Sequence, residues 1–190
     1  MSIRIANDSE IDVGRLGIET EMVGPSDAVA RFIYWLDIAP PERIRLGFQN
    51  FQTLPFDDNR YVIITDIGRR RVGRSCEKFD PLTDVINLYE YTEITLQIDV
   101  FDPILEMAIE NAQKIDTIAF TEHGVNFFKR YGISCLYADD VRPSPTELED
   151  GLFIGRATVT LYLGAWFKVA IPSYSFDSLE LSGSGVVADN

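Results

Sequence analysis

The sequence predicts an α+β fold: an antiparallel β-sheet with two main helices packed on one face, and strands long enough to form a protruding β-arm. Two patterns carry this reading. Residues 88–100 and 154–169 alternate apolar and polar side chains at every second position. Residues 27–37 and 103–120 instead repeat their apolar side chains every three to four. Helices laid on the apolar side of such a sheet leave a polar, largely uncharged side for water or another chain.

Taken in order, residues 1–24 mix charges and glycines without a sustained period and read as an arm or irregular lead-in with room for one short strand. Pro25, Ser26 and Asp27 supply the start signal of the first helix. There Ala28, Val29, Phe32, Ile33 and Leu36 share an arc of about 140° at ~100° per residue. Pro40 and Pro41 stop it. After a polar stretch from Asn50 to Arg60, residues Tyr61 to Ile67 are rich in β-branched side chains and read as a buried strand. Gly68 to Arg74 follow as a basic run flanked by glycines, hence a turn or loop.

In the next strand Ile94, Leu96, Ile98 and Val100 face one way, and Glu93, Thr95, Gln97 and Asp99 the other. Asp102 then reads as an N-cap with Pro103 at the first helical position. Along the second helix Ile104, Leu105, Ala108, Ile109, Ala112, Ile115 and Ala119 form the apolar stripe, with Glu110 and Lys114 paired on the solvent side. A shorter helical piece is read at 123–130, ended by Gly132, and a short strand at Ile133 to Tyr137. Asp139 to Gly151 reads as an exposed loop. In the closing strand Val159, Leu161, Leu163, Ala165, Phe167 and Val169 oppose Arg156, Thr158, Thr160, Tyr162, Trp166 and Lys168. Beyond Pro172 the composition turns to that of a tail. The expected organisation is an arm at 1–24, a domain at 25–172 and a tail at 173–190.

The two alternating segments would extend about 43 Å and about 50 Å at ~3.3 Å per residue, beyond what so small a domain can cover. Either they curve at bulges or their ends protrude as a β-arm. Tyr89 and Tyr91 on one strand and Arg156 and Tyr162 on the other are read as the exposed contact residues of such ends.

The 190 residues suit one ordinary domain with arms, and 46% hydrophobic residues are enough for a core. Seventeen basic against 30 acidic residues give −13, with a sequence pI near 4.4. That balance argues against a surface made to grip nucleic acid or an anionic membrane. Cys76 and Cys135 form neither a disulfide framework nor a C-x-x-C pair, which fits reduced thiols in a cytosolic compartment. Neither a signal peptide nor a membrane span is visible, so a protein made and kept inside a cell is expected.

Chemistry is scarce. No phosphate loop, no G-x-G-x-x-G and no G-x-S-x-G elbow occurs. His123 is the single histidine and reads as a surface or helix-junction residue. The acidic doublets Asp57-Asp58 and Asp139-Asp140 read as solvated loops, with a hard cation as the sharper alternative. No catalytic residue, cofactor or metal is assigned. The arginines Arg69, Arg70, Arg71 and Arg74 are more informative, being four of the 17 basic residues within six positions. Guanidinium binds carboxylate and phosphate alike, which leaves open a contact with another subunit or partner, a DNA backbone contact, or a solvated loop.

Four segments together resemble the neck or tail terminator proteins of tailed bacteriophages. They are Tyr61 to Asp66 after an Asn50-containing polar lead, Glu93 to Pro103 running into a helix, Gly132 to Asp140, and Arg156 to Leu161 as the closing strand. The likeness spans residues 26–172. The resemblance implies a non-enzymatic virion protein of the neck or tail, held in the host cytoplasm before assembly. It also implies a ring, commonly of six copies, at the head-proximal end of the tail tube. The ring would stop tube growth and meet the head-completion or connector protein, with sheath protein a further candidate partner. Genomic DNA would pass through without sequence-specific binding. Competing expectations are another head-completion or tube-related assembly protein, and a small acidic enzyme using His123, Asp139 and Asp140.

Overall fold

A computed structural model describes residues 24–47, 60–83, 85–147 and 153–172. The short strand allowed for in residues 1–24, the Asp57-Asp58 doublet and the tail lie outside them. Helices α1 (Pro25–Trp35), α2 (Leu105–Ala119) and α3 (Glu122–Lys129) lie on one side of an eight-stranded sheet. Its strands are β1 (Ile44–Leu46), β2 (Tyr61–Arg71), β3 (Cys76–Asp80), β4 (Val85–Asp102), β5 (Ile133–Ala138), β6 (Arg142–Pro143), β7 (Thr146–Glu147) and β8 (Phe153–Pro172). The order is β1-β2-β4-β8-β5, with β3 on β4 and with β6 and β7 on β8. Every pairing is antiparallel except β1 with β2, so the sheet is mixed where an antiparallel one was expected. A parallel neighbour needs a connection that returns the chain to the same end, and residues 47–60 provide the length.

The spine is β4 with β8, in unbroken register from Val85 opposite Pro172 to Asp102 opposite Gly155. At 18 and 20 residues they reach about 59 and 66 Å at ~3.3 Å per residue, longer than the sequence alone indicated. Because the register never slips, the two-residue alternation holds over the whole length. Ile94, Leu96, Ile98 and Val100 share the helix side with Ala157, Val159, Leu161 and Leu163, all fully buried. Ala108, Ala112 and Ile115 of α2 cover them. Phe32 of α1 meets Phe127 and Phe128 of α3 at 5.3 and 4.7 Å between ring centres, closing the helical layer.

The helix ends differ from the expected signals. α1 begins with Gly24 as N-cap and Pro25 in the first turn, so Ser26 and Asp27 already lie inside it. It ends at Trp35, before the prolines, because Asp37 takes a left-handed conformation (φ 54°). The Asp37 and Ile38 amides then donate to the carbonyls of Tyr34 and Ile33, a Schellman closure with Ile38 buried. Asp102 is not the N-cap of α2: it is the last residue of β4, and its carboxylate accepts from the Ile104 amide at 3.0 Å, turning the chain before the helix starts at Leu105. Lys114 is not held in a solvent-side pair, for its Nζ donates to the Leu36 carbonyl and ties α2 to the end of α1. α3 has a true side-chain cap, with Thr121 Oγ1 accepting from the Gly124 amide.

The arginine segment is not a loop. β2 continues through Gly68, Arg69, Arg70 and Arg71, paired with β4 down to Thr92, after a bulge between Asp66 and Gly68. Gly68, read as a flank of the loop, lies inside the strand at the bulge, and Arg69, Arg70 and Arg71 each find a carboxylate alongside. Only Gly73 turns the chain, at φ +82°. β3 follows on the same edge of β4, unforeseen because Cys76 to Asp80 alternates too weakly to be read. Likewise the expected loop at 139–151 carries the short β6 and β7.

Candidate functional site

β3, the first half of β4 and the last residues of β8 form a three-stranded arm beyond the helices, so of the two alternatives the β-arm holds. On its helix side the arm carries Phe79, Ile86, Leu88, Phe167, Val169 and Ile171. Val169 is 57% exposed and Ile171 42%. The alternation that fills the core thus runs on past the point where the helices cover it. On the opposite side stand Tyr89, Tyr91, Trp166 and Lys168.

The arginines divide between the sides by the same alternation. Arg69 and Arg71 lie on the helix side. Arg69 pairs with Asp66 at 2.8 Å and sits 5.8 Å from the Phe167 ring, and Arg71 reaches Glu90 at 3.7 Å. With Glu90, Thr92 and Phe167 they line a shallow, open hollow. Arg70 points to the other side and pairs with Glu93 at 3.1 Å. Arg74 is exposed and makes no ion pair among the described residues. Tyr91 packs on Trp166 at 5.1 Å and lies over Gly164, where any Cβ would strike its hydroxyl.

Arg156 and Tyr162, expected at the protruding ends, are elsewhere. Antiparallel pairing sets Arg156 opposite Phe101, at the end of β8 away from the arm. There Arg156 grips Asp99 Oδ1 through Nε at 3.1 Å and Nη2 at 3.0 Å, with its guanidinium over the Phe101 ring. Phe101 in turn stacks on Tyr61 at 4.5 Å. Burial raises the Tyr61 hydroxyl above its ordinary pKa; Arg156 offsets part of that rise and Asp99 adds to it. Tyr162 lies mid-strand, stacked on Tyr137 at 4.1 Å, its hydroxyl donating to Asp139 at 3.3 Å. Desolvation first, then the Asp139 carboxylate, raises its pKa as well. The eight contact residues named from the sequence therefore fall in separate places: the two sides of the arm, and the polar face of the body.

The residues set aside for an enzyme do not gather. His123 and Asp140 are exposed, while Asp139 holds Tyr162. Among the described residues no group of three His, Cys, Asp or Glu could hold a metal ion. No described helix is long and apolar enough to cross a membrane.

The apolar arm side, missed by the sequence reading, needed β3 and the full length of β8 to be known. Its signal was there in the continued alternation through Val169 and Ile171. A helix-clad sheet that outruns its cover is the form of a chain with surface to share with other chains. Over residues 27–186 the sequence matches the family described as phage neck terminator protein, and the chain belongs to that family. The match continues past Pro172, so the family likeness reaches 14 residues farther than expected. No curated protein matches the chain. Membership makes this a structural protein of the phage neck, placed in the virion's neck or tail with other head or tail proteins as partners.

Proposed function

We propose that copies of this chain close into a ring of six at the head-proximal end of the tail tube, end its polymerisation and join it to the head connector. Residues 25–172 act as the ring-forming domain, with 1–24 as an N-terminal arm and 173–190 as a C-terminal tail. The observation that carries the proposal is the arm: a sheet extension with an apolar side and paired arginines, in a chain of the neck terminator family. A closed ring needs two different patches on each copy, and an arm distinct from the body supplies them. Arg69, Arg70, Arg71, Arg74, Tyr89 and Tyr91 belong to or border that arm and are the contact residues, while Arg156 and Tyr162 serve the polar face of the body.

Six copies at −13 each carry a formal −78. A conduit of that sign repels the phosphate backbone, so the genome slides through rather than adhering. The test is omission of the chain from an infection, followed by electron microscopy. Tails of uncontrolled length, or finished tails that fail to join heads, are the expected result. Normal joined tails would overturn the reading, and normal tails beside emptied heads would assign the chain to head completion instead.

A further inference from the structure

The arm's helix side shows what it is made to receive. Residues 66–93 and 166–172 contain six basic and six acidic residues, so the arm is formally neutral. A neutral arm meets no net like-charge repulsion from another copy of a chain that carries −13. At the arm's base, Arg69 and Arg71 border an open hollow together with Glu90, Thr92 and Phe167. An aromatic ring between two guanidiniums suits an aromatic side chain followed by a carboxylate, which would share the arginines with Asp66 and Glu90.

The chain carries that complement at the end of α1. Tyr34 and Trp35 are 46% and 49% exposed, large values for aromatics beside a core. Asp37 follows them, exposed, in its left-handed turn, with no side-chain partner among the described residues. Tyrosine and tryptophan are among the residues most enriched as interface anchors. We infer that the corner Tyr34-Trp35-Asp37 of one copy docks against Arg69, Arg71 and Phe167 on the arm of the next. The contact joins two different surfaces, so it propagates from copy to copy instead of ending in a pair. This inference rests on the reading that copies assemble, and names the contact.

The test uses particles from an infection complemented with the full chain. In a Cys76→Ser background, Tyr34→Cys and Val169→Cys are introduced together and the particles are oxidised. A ladder of linked chains on a non-reducing gel, absent for either single variant, is expected. Particles that contain the chain but yield only monomers overturn the contact, and so does a link to a different virion protein. Particles that assemble normally with no trace of the chain refute the proposed function instead. Where the double variant does not enter particles, Arg71→Glu and Asp37→Lys decide. Each alone should cut infectious yield tenfold or more, and together they should recover most of it. A pair no better than the singles overturns the contact.

Discussion

Arg156 clamps Asp99 from the adjacent strand, both Nε and Nη2 reaching the same Oδ1 atom, 57 residues away in sequence. The Thr158 hydroxyl donates to that oxygen too, and the Gln97 amide donates to Oδ2 at 2.9 Å. A buried carboxylate on the polar side of the sheet is thereby fully occupied, and it fixes the register of β4 against β8 where the two leave the core. Asp99→Ala strands a guanidinium that is only partly exposed and should cost about 2–4 kcal/mol in urea unfolding. The double variant with Arg156→Ala should lose less than the two singles summed; strict additivity would mean the pair is not coupled.

Gly155 lies beneath the first turn of α2. A Cβ there would stand 2.5 Å from Leu105 Cα and 2.6 Å from its nitrogen, all rigid main chain. Gly155→Ala should therefore destabilise by about 1–3 kcal/mol by pushing α2 off the sheet. Gly68, with open space around its Cβ, serves as control, and its alanine variant should unfold within ~1 kcal/mol of the parent. Equal midpoints for Gly155→Ala and the parent would show that the helix seats differently.

Cys135 faces the helix side of β5, where burial pushes its thiol from 9.0 to about 12. Between those values the unfolded chain releases a proton that the folded one keeps, so stability declines as pH rises from about 9 towards 12. The raised Tyr61 hydroxyl acts in the same direction. Cys135→Ala should weaken the alkaline decline, measured as the urea midpoint at pH 8 and pH 10. At pH 8 a maleimide should label the exposed Cys76 and leave Cys135 untouched in the folded protein. Rapid double labelling would contradict its burial.

Arg70 is the most exposed of the paired arginines, with 73% of its side chain accessible opposite Glu93. Solvent screens such a pair, so Arg70→Ala should shift unfolding by less than about 1 kcal/mol. If Arg70 serves copy-to-copy contact, infectious yield should fall tenfold or more while the monomer stays folded by circular dichroism. Unchanged yield would remove Arg70 from the interface. Reversing Arg69, Arg70 and Arg71 together is less informative, because each would then oppose a carboxylate inside the sheet and strain the arm itself.

The class of fold, both long strands, all three helices and the sides of β4 and β8 could be read from the chain, because amphipathic periods of 2 and 3.6 are local properties. Ile94 to Val100 and Val159 to Ala165 had to share one side whatever lay above them. The arginine strand could not be read that way. It is held by its backbone ladder to β4, with Asp66, Glu90 and Glu93 offsetting its charge, and a run of like charges shows neither until β4 is placed beside it. Pairing also moved Arg156 and Tyr162 away from the arm: antiparallel register puts the start of β8 against the end of β4, a relation between two distant segments. Local sequence determined which side of each strand is apolar. Only the tertiary structure decided how far the helices reach along that side, and so which apolar residues are left for another chain to cover.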